Sequence, residues 1–224
     1  MYFKDRREAG RLLAMRLLDW ADRRDIEVVV LGIPRGGVIV AAEVAARLHA
    51  PLDVFLTHKL GAPGNPELAI GAIAGDGTML LDEQIIREFA IPRQYIERER
   101  DAQLRSMQAR ADRYRQGRPP IDTRGRCVIL CDDGIATGAT ALAALESLRK
   151  RHPARVILAV PVGPTQSMEA LARACDEVVA LATPEPFYAV GRFYLSFEQV
   201  TDDQVIAALQ HQPPIARDAA PPAA

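Results

Sequence analysis

The sequence predicts an α/β fold: a mainly parallel, twisted sheet flanked by helices, with a β-hairpin, a cover loop and an added helical segment. Three observations predict it. Two short apolar runs, Val28, Val29, Val30, Leu31 and Val128, Ile129, Leu130, Cys131, have the length and continuity of strands buried on both faces. Each ends in a glycine-bearing turn and passes into a helical pattern, as in Val38, Ala41, Ala42, Ala45 and Leu48. Strand and helix units of this size then alternate along the chain, and such units join by right-handed crossovers into parallel sheets.

The elements follow in order. Residues 6–23 read as an amphipathic, arginine-rich helix, followed by a strand at 28–33, a helix at 37–49 and a strand at 52–58. Gly61, Pro63, Gly64 and Pro66 then preclude regular structure, so 61–66 is expected to be a mobile cover loop. Residues 69–74 and 78–81 flank Gly75, Asp76 and Gly77 and predict a hairpin. Helices are expected at 82–89 and 93–116. The second carries a narrow apolar stripe of Leu104, Met107, Ala111 and Tyr114 under a mixed charged surface, read as a solvated helix with an oligomer contact. A strand at 126–132, helix at 140–151, strand at 155–161, helix at 165–174, strand at 177–182 and helix at 202–210 complete the pattern. Residues 1–212 are thus expected to form one domain with a helical insertion at about 82–118, and the Pro- and Ala-rich residues 213–224 a disordered tail.

Composition excludes several function classes. A chain of 224 residues with 49% hydrophobic and 25% charged content is of ordinary globular type. Its net charge of −1 argues against nucleic-acid binding, which needs a basic surface. No apolar segment nears the ~20 residues of a membrane span. Asp5, Glu8 and Asp19 interrupt the basic N-terminus, unlike a transit peptide, so a cytoplasmic location is expected. Cys127, Cys131 and Cys175 make neither a disulfide framework nor a zinc pair, and read as reduced core residues.

The chemistry begins where the second strand ends. Asp132 and Asp133 leave its carboxyl edge, where open α/β sheets bind ligands, and residues 134–139 turn into a helix. Amides at a helix start attract anions, Gly138 allows close approach, and the Thr137 and Thr140 hydroxyls donate to phosphate oxygens. The two carboxylates would repel that phosphate. Their partners are instead sugar hydroxyls or a hard cation such as Mg²⁺. A second anion site follows the first strand, where Arg35 supplies a fixed fork and Gly36 and Gly37 bare their amides. Lys59, with His58 beside it, could carry a cation over the same ligand.

Two acidic residues followed by Gly134, Ile135, Ala136, Thr137, Gly138, Ala139 and Thr140 resemble the signature of the type I phosphoribosyltransferases. The likeness extends along most of the chain, including the segments DRREAG, GAPGNPELAIGA and PEPFYAVGRFY, to a bacterial phosphoribosyltransferase-like group whose acceptor these motifs do not identify. The resemblance implies an enzyme using 5-phosphoribosyl 1-diphosphate and Mg²⁺, with a nucleobase-like acceptor and release of pyrophosphate. By position, Asp132 and Asp133 would take the ribose 2- and 3-hydroxyls and contact Mg²⁺ indirectly, through those hydroxyls or water. Residues 136–140 would wrap the 5-phosphate, and Arg35, Gly36, Gly37 and Lys59 would hold the diphosphate. The hypoxanthine-guanine branch has an aspartate where this chain has Ala136, so no general base is expected within the loop. Phe187 and Tyr188 are the candidates for stacking on an acceptor, whereas Phe193 and Phe197 read as packing residues. The rival reading is a protein that binds the same donor, or a nucleotide, as a regulatory signal without turnover.

Overall fold

Strands whose side chains are apolar on both faces must be covered on both, and the two runs that first reveal the fold occupy neighbouring central positions. The computed structural model describes residues 2–21, 23 and 25–210. In chain order its elements are α1 (Arg6–Arg16), β1 (Val28–Gly32), α2 (Gly36–Leu48), β2 (Leu52–Val54), β3 (Thr57–Ala62), β4 (Asn65–Ala74), β5 (Met79–Leu81), α3 (Glu83–Glu88), α4 (Arg93–Arg115), β6 (Cys127–Cys131), α5 (Ala139–Arg149), β7 (Arg155–Val162), α6 (Thr165–Leu171), β8 (Glu177–Ala182) and α7 (Asp202–Gln210). Five strands form a parallel sheet in the order β2-β1-β6-β7-β8, and β3-β4-β5 form a separate antiparallel sheet.

Side-chain alternation along the central strands divides the interior in two. Val30, Ile129 and Ile157 point to the layer of α1, α2 and α7, where they meet Leu13, Val44 and Val205. Val29, Leu31, Val128, Leu130 and Leu158 point to the other layer and meet Leu145 and Leu148 of α5 with Leu171 of α6. All three cysteines are buried and unbridged, and burial pushes the Cys127 thiol up to about 11. They are inert packing groups at neutral pH.

Three expectations change. The first helix ends at Arg16, because the Leu17 amide donates to the Ala14 carbonyl and the chain tightens into a 3₁₀ turn over Leu18–Trp20. The expected strand at 52–58 divides between two sheets. The Phe55 amide still bonds to Gly32, but the Leu56 carbonyl already accepts from Gly75 of the hairpin. The third change concerns 61–66. This segment is no irregular cover but the tip of the β3–β4 hairpin, turning through Pro63 and Gly64. Proline presets the first turn position and Gly64, at φ 72°, takes the left-handed second one. Pro66 is tolerated in β4 because β5 pairs only with residues 71–73, leaving that end of the strand without a neighbour on the far side.

The added helix α4 is docked within its own chain. Met107, Ala111 and Tyr114 of the expected stripe are buried, so no second subunit is needed to cover them. At its C-terminal end Arg115 Nε lies 2.9 Å from Asp53, a buried carboxylate that also accepts from the Val54 and Ile121 amides. The Tyr114 hydroxyl donates to Asp202 at 2.7 Å, tying α4 to the start of α7. The expected disordered tail at 213–224 lies outside the described residues.

Candidate active site

In the strand order β2-β1-β6 the chain leaves β1 toward β2 and later returns to the opposite side of β1. Loops following β1 and β6 therefore diverge, and a crevice opens between them at the carboxyl end of the sheet. A cleft of about 580 Å³ lies there, a size suited to a small ligand. It is lined by Arg35 of the first loop and Gly36 at the start of α2, Asp132 and Asp133 of the second loop, Thr140 in the first turn of α5, and Lys59 from β3. The structure thus brings together residues that sequence reasoning drew from three separate segments.

The carboxylates sit side by side but in different surroundings. Asp132 is pushed well above the ordinary carboxyl range, first by burial and then by the negative charge of Asp133. Its Oδ1 accepts from the Asp133 amide at 2.8 Å. Asp133 is paired instead: Arg6 Nε lies 2.6 Å from its Oδ2, with both side chains largely removed from solvent. Gly36 is required by this pair. A Cβ there would stand 1.9 Å from Asp133 Oδ2 and 2.6 Å from Arg6 Nε, so only glycine allows the β1 loop to close on the carboxylate.

The second loop is built as a rigid cradle over α5. Ile135 is buried against the core and its amide donates to the Val162 carbonyl, so this residue anchors the loop from beneath. Ala136 and Thr137 are exposed above it. Gly138, at φ 83°, reverses the chain so that α5 starts at Ala139, where the first amides of an 11-residue helix stand free for an anion. Thr140, in that first turn, lines the cleft; Ser167 Oγ steadies the loop by donating to the Ala136 carbonyl. Gly134 packs under Val190, and Gly37 against Asp132.

The cleft also carries cations, Arg35 and Lys59 among them. Arg35 is partly exposed and approaches Asp202 at 3.8 Å, a loose pair. Lys59 lies in β3 rather than in a loop, opposite Ala72 of β4. His58 beside it is held below the ordinary histidine range, mainly by burial and then by the positive charge of Arg110, with Glu99 opposing and Lys59 reinforcing that shift. That shift favours the neutral imidazole, which can both donate and accept.

The aromatic side chains are arranged differently from the expectation. Phe187 stacks on Phe193 at 5.3 Å, and Tyr188 stands 72% exposed beside Arg192; neither lines the cleft. Phe197 does, together with Gln199 and Val200. The Arg6 guanidinium lies 3.8 Å from the centre of the Phe197 ring and donates to the Glu198 carbonyl, joining this segment to Asp133. Sequence reasoning missed Arg6 and treated Arg110 only as part of a charged helix face. Arg6 enters the site because the strand-like residues 3 and 4 pair with 193–196, a contact across nearly the whole chain.

A family model described as the phosphoribosyl transferase domain matches residues 6–185, a span that begins at Arg6 and contains both cleft loops, Lys59 and Arg110. The chain belongs to the phosphoribosyl transferase domain family. Two family relatives from Mycobacterium tuberculosis, in strains H37Rv and CDC 1551, each provisionally named phosphoribosyl transferase, are 48% identical to it over 207 residues. Those matches cover 92% of this chain but 46% of each relative, so the chain spans about half their length. The phosphoribosyl transferase fold seen here is also close to the crystal structure of TT1426 from Thermus thermophilus. That similarity has a TM-score of 0.76 and 47% identity, and covers 95% of this chain and 99% of the other.

Proposed function

We propose that the protein transfers the phosphoribosyl group of 5-phosphoribosyl 1-diphosphate to a nitrogen acceptor and releases pyrophosphate. One observation carries this reading: the loops after β1 and β6, each an anion site by its own chemistry, line a single cleft with two carboxylates between them. A ligand with phosphate at both ends and hydroxyls in the middle matches that order of groups. The amides and hydroxyls of residues 136–140 take the 5-phosphate, Asp132 and Asp133 take the ribose hydroxyls, and Arg35, Gly36, Gly37 and Lys59 take the diphosphate.

The chain's own residues act by charge and position. Arg35 and Lys59 stabilise negative charge gathering on the departing pyrophosphate, and the carboxylates hold the ribose while positive charge develops at its C1. Ala136 offers only a methyl group, so no proton transfer is assigned to the loop. Among the described residues no cluster of three His, Cys, Asp or Glu side chains could hold a metal alone. Two adjacent carboxylates do suit a Mg²⁺ ion that keeps most of its oxygen ligands from substrate and water, with Asp132 and Asp133 reaching it through hydroxyls or water. Mg²⁺ so bound would supply added charge neutralisation for the leaving group.

The position of Phe197, Gln199 and Val200 in the cleft wall supports an acceptor site there, with the Phe197 ring as its apolar face. Incubation with the donor, Mg²⁺ and a panel of nucleobases, with pyrophosphate release measured for each, tests the reaction. Release above the acceptor-free rate with at least one acceptor is expected. Donor binding with no acceptor-dependent release across the panel would replace this reading with a regulatory binder.

A further inference from the structure

The α4 arginines that reach neighbouring elements are mostly paired. Arg113 meets Asp202 at 2.9 Å and Arg115 meets Asp53 at 2.9 Å. Arg110 differs: it lines the cleft, forms no ion pair among the described residues, and has a buried Nε with no hydrogen-bond partner. A second unsatisfied polar atom lies in the same wall, the buried hydroxyl of Thr57 on β3. Buried donors without acceptors are costly, and here the cost is raised by like charges. Arg110 acts electrostatically on His58, as Lys59 does, and on the Tyr114 hydroxyl, as Arg35 does. It therefore stands among the cations of the Arg35 and Lys59 side.

We propose that Arg110 is a third cation for the diphosphate of the donor and makes the cleft selective for the diphosphorylated sugar over ribose 5-phosphate. This rests on the function proposed above. A guanidinium offers a planar fork of donors matched to phosphate oxygens, and an incoming diphosphate supplies both the missing acceptor at Nε and the missing negative charge. The Asp53 and Asp202 contacts fix the C-terminal end of α4 to β2 and α7, so Arg110 is presented on an anchored helix. The Thr57 hydroxyl is placed to donate to the same group.

Calorimetry in Mg²⁺ with three probes, 5-phosphoribosyl 1-diphosphate, pyrophosphate and ribose 5-phosphate, separates the two ends of the ligand. In R110M, which keeps the length and apolar stem of the side chain, affinity for the first two should fall roughly 10- to 100-fold, the span a charge-assisted hydrogen bond commands. Ribose 5-phosphate should bind as in wild type. R110K, a point charge without the fork, should recover part of the loss. Unchanged pyrophosphate affinity in a folded R110M, or an equal loss of ribose 5-phosphate, would overturn the proposal. R110Q is read against the same outcomes if R110M fails to fold. A wild-type protein that binds neither the donor nor pyrophosphate would overturn the proposed function as well, so the two failures are distinct.

Discussion

Arg6 ties Asp133 to Phe197 and Glu198 in the cleft wall, and its replacement by methionine has a calculable cost. Nε stands 2.6 Å from Asp133 Oδ2, and the two side chains are only 12% and 17% exposed. A charge-assisted hydrogen bond of that kind contributes about 1.5–3 kcal/mol. The guanidinium also lies 3.8 Å from the Phe197 ring centre, a contact contributing about 0.5–2 kcal/mol. Because one side chain makes both, the effects do not simply add, and R6M should cost about 2–4 kcal/mol. For a chain of this size that is a fall in Tm of roughly 5–15 °C. Thermal melts of wild type, R6M, D133N and the double variant form the assay. The double variant should be more stable than the sum of the two losses implies, since R6M leaves the Asp133 carboxylate without its partner and D133N has already removed that charge. A shift of less than about 1 °C in R6M, or strict additivity, would refute the account of Arg6 as the clamp on Asp133.

Two further substitutions probe the same centre. Asp132 has its carboxyl raised in the folded protein by burial and by Asp133, above an ordinary value of 3.8. Between those values the folded state binds more protons than the unfolded one, so stability falls as pH rises through the window. D132N removes that fall: relative to wild type it should gain stability as pH rises above 4 in urea melts, while losing donor affinity. A constant difference at every pH contradicts the assignment. G36A places a methyl group 1.9 Å from Asp133 Oδ2. It should weaken donor binding by at least roughly 10-fold by displacing one charge-assisted contact, and calorimetry showing wild-type affinity would count against the close approach of the two loops.

The parts of the site that were legible in the sequence are those written locally. The runs 28–31 and 128–131 announce buried strands by their own composition, and Arg35, Gly36, Asp132 and Gly138 follow within a few residues of a strand end. Arg6 and Phe197 had no such signal. Their place in the cleft comes from pairing of residues 3 and 4 with 193–196, which no periodicity encodes. Arg110 was visible as a charge on α4, but its inward direction is set by the Asp53 and Asp202 anchors. The 61–66 segment was misjudged for a different reason. Proline and glycine interrupt regular structure, yet in adjacent positions they also make the tight turn that allows two strands to pair, and the pairing is decided by tertiary context. Phe187 and Tyr188 carry the acceptor expectation and Phe197 only a packing one, yet Phe197 stands on the cleft wall, where it meets the Arg6 guanidinium.

The central claim is that this cleft binds a ribose carrying phosphate at both ends, with Asp132 and Asp133 on its hydroxyls. Titration calorimetry of 5-phosphoribosyl 1-diphosphate in Mg²⁺ against wild type and the D132N/D133N protein measures it most directly. Losing two charge-assisted contacts should lower affinity by at least roughly 100-fold in a variant that still melts cooperatively. Equal affinity in the two folded proteins would contradict the account.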